Sequence, residues 1–113
     1  MPFIDSKISV PVTDEKKESI KAKLGAAISV MGKTESYLMV GFDDNYDLFF
    51  AGEKMEKAAY VSVSVYGSVS PEQADAMTAK ICEILEEELS IPGDKVYVTY
   101  RGVTDWGFNG RNF

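Results

Sequence analysis

The order strand, helix, strand is written twice along this chain, the second copy roughly 57 to 60 residues after the first, and self-similarity of that kind constrains the fold more than any single motif. In the first copy Ile4, Ile8 and Val10 alternate with Asp5, Lys7 and Ser9, a period of two that marks a strand with one face toward a core. Pro11 ends it. Thr13 is a good helix N-cap, and Ile20, Leu24, Ala27, Ile28 and Met31 follow at three- and four-residue steps, so 13–31 reads as an amphipathic helix with Gly32 as its C-cap. Residues 37–42 are apolar on both sides, as expected of a strand covered on both faces.

The second copy is cleaner. In 59–66 the valines Val61, Val63 and Val65 face one way, and Ser62 and Ser64 the other. Ser70-Pro71-Glu72-Gln73 has the form of a capping box with proline at N1. It opens a helix whose Ala74, Met77, Ile81, Leu85 and Leu89 form the buried stripe, until Pro92-Gly93 breaks it. Residues 95–100 complete the copy, with Val96, Val98 and Tyr100 on one side and Tyr97 and Thr99 on the other. Right-handed crossovers set both helices on one face of a four-stranded mixed sheet. The expected fold is α+β, an α/β sandwich of two tandem β-α-β units, with pseudo-repeats at about 2–42 and 59–100 of a single domain, 1–113.

The second face of that sheet has no cover within one chain. Ser62, Ser64, Tyr97 and Thr99 on it are too polar for a core and suit a solvated channel or a subunit contact, so an oligomer built around the sheet is expected. Short strands at 48–51 and 106–108 are placed to extend a neighbour's sheet edge.

Composition narrows the chemistry. A net charge of −6 argues against nucleic acid, whose affinity comes from lysine and arginine contacts to phosphate. The chain has no histidine and one cysteine, which removes an internal disulfide, the usual zinc ligand sets and every histidine-based triad. Acid-base work is left to an amine, a lysine or a tyrosine. No apolar run reaches about 18 residues and no secretory leader is recognisable, so no membrane partner is expected and the cytoplasm is the expected location, with a leaderless route of secretion left open.

Several motifs have ordinary readings. Asp43, Asn45 and Asp47 imitate the first ligands of a calcium loop, but Leu48 stands where glycine is needed and Lys54 where the closing glutamate belongs. Asp43-Asp44-Asn45 therefore reads as a polar hairpin turn, and no metal is expected. Cys82 beside the apolar stripe reads as a packed thiol, Glu86-Glu87-Glu88 as a solvated helix end, and Lys33 as a cation favoured at a helix C-terminus.

Met1-Pro2 is different. An initiator methionine before a small residue is a common substrate for removal, which would leave Pro2 with a free secondary amine in a fixed ring. Pro2, the run Gly32-Lys33-Thr34-Glu35-Ser36-Tyr37, the run Asp94-Lys95-Val96-Tyr97 and the ending Trp106-Gly107-Phe108-Asn109-Gly110-Arg111-Asn112-Phe113 occur together and in order. In that combination the whole chain resembles the macrophage migration inhibitory factor family of the tautomerase superfamily.

The resemblance implies a homotrimer with one site at each subunit interface, and cofactor-free keto-enol tautomerisation of phenylpyruvate-like α-keto acids. By position, it makes Pro2 the general base and acid, Lys33 the partner of the substrate carboxylate, and Tyr97 an aromatic supplied by the neighbouring subunit. Tyr66 stands where relatives often carry isoleucine and Thr99 where many carry asparagine, so both bear on substrate preference. Phe3, Trp106, Phe108 and Phe113 are implied pocket-lining residues. Ala58 and Val61 stand where the vertebrate proteins have Cys-x-x-Cys, so thiol redox activity does not carry over. With no arginine pair evident beside the pocket, decarboxylation or dehalogenation of small unsaturated acids is the weaker expectation, to which Arg111 alone could contribute. The alternative is a non-catalytic trimeric binding or signalling protein, motivated by the departures at Tyr66 and Thr99.

Overall fold

Alternation in the first strand and in the middle of the chain drives the architecture. The structure, a computed structural model, describes residues 1–113. In β1 (Pro2–Ile8) every second side chain is buried, and β5 (Ala59–Tyr66) repeats the pattern. Between them come α1 (Asp14–Ala27), β2 (Met39–Asp43) and a small hairpin of β3 (Phe49–Phe50) with β4 (Glu53–Lys54). After them follow α2 (Pro71–Leu89), β6 (Val96–Val103) and a second hairpin of β7 (Gly107–Phe108) with β8 (Arg111–Asn112).

The four long strands form one mixed sheet in the order β2-β1-β5-β6. β1 and β5 pair antiparallel at its centre, while β2 runs parallel to β1 and β6 parallel to β5. Each parallel pair needs a crossover, which α1 and α2 supply. The two β-α-β units thus meet along β1 and β5, and both helices cover one face. Ile4, Ile8, Val61, Val63 and Val65 from the strands meet Ile20 and Leu24 of α1 and Met77, Ile81 and Leu85 of α2 in a single cluster.

Helix ends follow local chemistry. Thr13 Oγ1 accepts from the Lys16 N–H at 3.2 Å. At α2 the Ser70 hydroxyl accepts from Gln73 N–H and the Gln73 carboxamide accepts from Ser70 N–H, both at 3.1 Å, completing the expected capping box. Gln73 Nε2 also donates to the Met31 carbonyl at 3.2 Å, tying the start of the second helix to the end of the first.

Local details depart from the sequence reading. β1 stops at Ile8, not at Pro11. The first helix is α-helical only to Ala27; Ile28–Met31 tightens into a 3₁₀ turn before Gly32 closes it at φ 71°. The apolar run at 37–42 predicts a strand covered on both faces, yet β2 is an edge strand, Tyr37 belongs to a 3₁₀ turn, and Met39 is 68% exposed. The stripe of α2 is carried by Met77, Ile81, Ile84 and Leu85, with Ala74 and Leu89 only half-buried. Ser90 ends α2 in the left-handed region (φ 57°), before Pro92-Gly93 is reached. Asp43-Asp44-Asn45 is no hairpin turn: the N–H groups of Asn45 and Tyr46 donate back to the carbonyls of Val10 and Ile8, and the Asp44 carboxylate accepts from Val12 N–H at 2.8 Å.

Glu88 is more than a solvated helix end. Its carboxylate accepts from the Ser19 hydroxyl at 2.7 Å, and Lys23 and Lys16 approach it at 2.8 and 3.4 Å, so it joins α2 to α1. Hydrogen bonds from Lys23 and then Ser19 hold it down at about 2, and hydrogen bonds to Glu88 and then Glu87 raise Lys23 to about 12. A carboxylate lowered on folding contributes stability above its ordinary value of 4.5 and loses that contribution as pH falls through its folded value of about 2. The lysines are well exposed and solvent screens them, so Glu88→Gln should lower stability by only about 1 kcal/mol at pH 7, a Tm shift of roughly 4–8 °C. Melting curves should show the wild-type advantage at pH 7 and its disappearance near pH 2.

Candidate active site

Pairing register sets what surrounds Pro2. Its ring is on the helix-covered side and fully buried, opposite Val65 of β5, which in turn faces Gly102 of β6. One residue further, Met39, Phe3, Ser64 and Arg101 are mutual partners across all four strands and share the uncovered face. That row, with Pro2, Tyr37, Trp106 and Phe108, lines a largely apolar cleft of about 810 Å³. Two more rows follow along the open face: Gly41, Asp5, Ser62 and Thr99, then Asp43, Lys7, Tyr60 and Tyr97.

Close backbone approach shapes the β6 end of the cleft. Gly67, at φ 99°, donates its N–H to the Val103 carbonyl at 3.0 Å, and its own carbonyl lies where a Cβ on residue 102 would stand. Glycine at 102 is therefore a steric requirement.

Chain segments distant in sequence meet beside Pro2. The Met1 carbonyl accepts from Tyr66 N–H at 3.0 Å, and Lys33 Nζ donates to the Tyr66 carbonyl at 3.4 Å. Lys33 reaches this point because Gly32 turns the chain out of the first helix. Burial first, and the Lys33 ammonium second, hold the Met1 α-amino group below its ordinary value. Aromatic rings enclose the same end: Tyr66 packs on Phe113 at 5.7 Å, Phe113 stacks on Phe108 at 6.1 Å, and Tyr37 meets Phe108 edge-on at 5.7 Å. A smaller recess of about 390 Å³ opens between Tyr37, Phe108, Phe113 and Arg111.

Of the residues singled out from sequence, Pro2, Phe3, Lys33, Tyr66, Trp106, Phe108 and Phe113 come together at one end of the sheet. Tyr97 and Thr99 do not. Tyr97 is 64% exposed and meets only Phe50 edge-on, with Lys95 over the Phe50 ring, while the Thr99 hydroxyl shares a 2.8 Å hydrogen bond with Tyr60. Tyr97 lies five positions before Gly102 on β6, about 17 Å along the strand from the Pro2 row.

Sequence reasoning overlooked Arg101. It lines the cleft, while Arg111 lines the neighbouring recess, so two arginines flank the aromatic end where none was evident as a pair. Parity would have revealed it, since 101 continues 97 and 99 on the same face once the strand is run to Val103. Cys82 takes no part: burial and then Glu86 push its thiol up, as suits a packed cysteine. No group of three or more His, Cys, Asp or Glu side chains is gathered to hold a metal.

The fold is two β-α-β units in a four-stranded mixed sheet, with a cleft at the first strand's start. The family described as "Macrophage migration inhibitory factor (MIF)" matches residues 1–113, and the chain belongs to that family. A macrophage migration inhibitory factor homolog of Trichuris trichiura is 28% identical, with 100% of both chains covered. Among solved structures, Leishmania major MIF2 superposes with a TM-score of 0.94 at 33% identity over 100% of this chain and 97% of that one. The homologue from Prochlorococcus marinus gives a TM-score of 0.88 at 26% identity, over 98% of each.

A side chain at position 102 must displace the Gly67 carbonyl and with it the β6 wall of the cleft. Gly102→Ala should cost about 1–3 kcal/mol in denaturant unfolding, whereas Gly52→Ala, in a turn with open space around it, should cost mainly its own φ strain and leave amide signals of the cleft unshifted.

Proposed function

We propose that the protein is a cofactor-free tautomerase of phenylpyruvate-like α-keto acids, with Pro2 as general base and acid once Met1 is removed. The observation that carries this reading is the depressed α-amino group at the head of β1, lowered by burial and by Lys33. One residue inward Pro2 is fully buried, so removal of Met1 would place a secondary amine under the same two influences. Each unit of depression gives about tenfold more free base near neutrality.

Removal of Met1 has a second consequence. The Tyr66 N–H loses the carbonyl it now donates to, which leaves a free donor next to Lys33 and to the new amine. A keto acid fits that arrangement: its carboxylate meets Lys33 and the Tyr66 N–H, and its apolar body enters the aromatic cleft. The Pro2 nitrogen then takes a proton from the carbon beside the carbonyl. The electron pair of that C–H bond forms the carbon–carbon double bond, the carbonyl pair moves to oxygen, and the proton is returned there to give the enol. A positioned base supplies about 10²- to 10⁴-fold, and the cation stabilises charge that develops on oxygen.

A homotrimer with sites between subunits belongs to the same proposal. Tyr97 lies too far along β6 to meet Pro2 of its own chain, so a role for it and for Thr99 requires another copy to bring them to the cleft. Exposed Tyr97, Met39 and Phe49, and the two unpaired sheet edges, favour such an assembly. The single domain over 1–113 is part of this reading. A second reading, a non-catalytic trimeric binding protein, is favoured by Tyr66, whose large ring packs on Phe113 where relatives often carry isoleucine.

Enol formation from phenylpyruvate separates the two. With Met1 shown to be absent by intact mass, Pro2→Gly should lose at least about 100-fold in kcat/KM, and Lys33→Ala should lose about tenfold, chiefly by raising KM. Equal rates for wild type and Pro2→Gly would leave the binding-protein reading standing. Tyr97→Ala should reduce turnover although Tyr97 is remote from Pro2 within one chain, and sedimentation should give three chains per particle.

A further inference from the structure

Arg101 is a cation without a partner. It makes no ion pair and no hydrogen bond, although it lies on the row Met39-Phe3-Ser64-Arg101 that floors the cleft. Acids on the same face are committed or remote: Asp5 is held by Lys7 at 3.1 Å, and Asp43 is two rows further on. Its neighbours in the cleft, Phe3, Met39, Val103 and Trp106, offer no counter-charge. Arg101 is exposed at the cleft wall, and an arginine free there presents a planar fork that matches a carboxylate bidentately.

We infer that Arg101 makes the cleft selective for α-keto acids carrying a second anionic group at the far end, a dicarboxylic substrate class, by holding the distal carboxylate. The inference rests on the tautomerase reading above. Arg101 lines the cleft from β6, whereas Lys33 stands at its β5 end against the Tyr66 carbonyl, so the two cations are presented by separate elements with Pro2 at the head of β1. A chain of net charge −6 repels a dianion at long range, which makes local cations the source of its affinity. The reaction is unchanged: a proton moves from carbon to Pro2 and back to oxygen, and the distal carboxylate takes no part in bond making.

The test compares kcat/KM for 4-carboxyphenylpyruvate and for phenylpyruvate, with the full chain lacking Met1. Wild type should prefer the carboxylated acid by about tenfold, equivalent to one good charge-assisted contact. Arg101→Ala should abolish the preference, mainly through KM for the carboxylated acid, and Arg101→Lys should keep part of it. Arg101→Glu should invert it toward 4-(aminomethyl)phenylpyruvate, a gain that mere loss of structure cannot produce; melting curves check that each variant folds. An identical preference ratio in wild type, Arg101→Ala and Arg101→Glu, with turnover still dependent on Pro2, would overturn this inference alone. Failure of wild type to convert either acid would overturn the tautomerase reading and this inference with it.

Discussion

Antiparallel pairing of β1 with β5 is the contact on which everything else depends. Its register puts Pro2 opposite Val65 and sends Ile4, Ile8, Val61, Val63 and Val65 into one core under the two helices. A slip of one residue would exchange the two faces of the strand, expelling that core and turning Phe3 and Asp5 inward. Burial of the alternating aliphatic side chains, about 1.5–3 kcal/mol each, fixes the register far more firmly than any polar contact nearby. Because Pro2 is the first residue of the same strand, the core that stabilises the fold also decides where the chain's first ring stands.

That placement ties stability to chemistry. A group at the head of a buried strand is desolvated by the sheet and helices it belongs to, with no separate device to lower its proton affinity. Lys33 adds to the effect because the left-handed Gly32 turns the chain out of the first helix toward Tyr66. The open face of the sheet has the opposite character. Its three rows of polar and aromatic side chains are covered by no helix and only in part by loops and hairpins of the same chain, which suits surfaces that meet substrate or a further copy.

Local signals in the sequence were faithful where one interaction dominates. Alternation of valine and serine in 59–66, the capping box at Ser70 and the N-cap at Thr13 each reflect a preference complete within a few residues, and all three are present. Boundaries failed where tertiary context wins. Ser90 takes a left-handed conformation usually left to glycine, so α2 ends just before the Pro92-Gly93 signal that marks it in the sequence. The apolar run at 37–42 looked doubly covered, but strand order makes β2 an edge, a property of the whole sheet. Arg101 falls outside the strand that alternation marks in the sequence, which ends at Tyr100, three residues before β6 does. The meeting of Met1, Lys33, Tyr66 and Phe113 is a consequence of register and of how the C-terminal hairpin folds back, which no spacing in the sequence encodes.

The central claim is that the nitrogen of residue 2 is a free, desolvated amine that is largely uncharged at neutral pH. Titration of the ¹⁵N-proline resonance at the chain start, in protein whose mass lacks methionine, measures this directly. The account predicts a single transition clearly below the value of about 8 for an ordinary α-amine, moving upward when Lys33 is replaced by alanine. A transition at or above that value, or a residue 2 nitrogen that never titrates because methionine is retained, would contradict it.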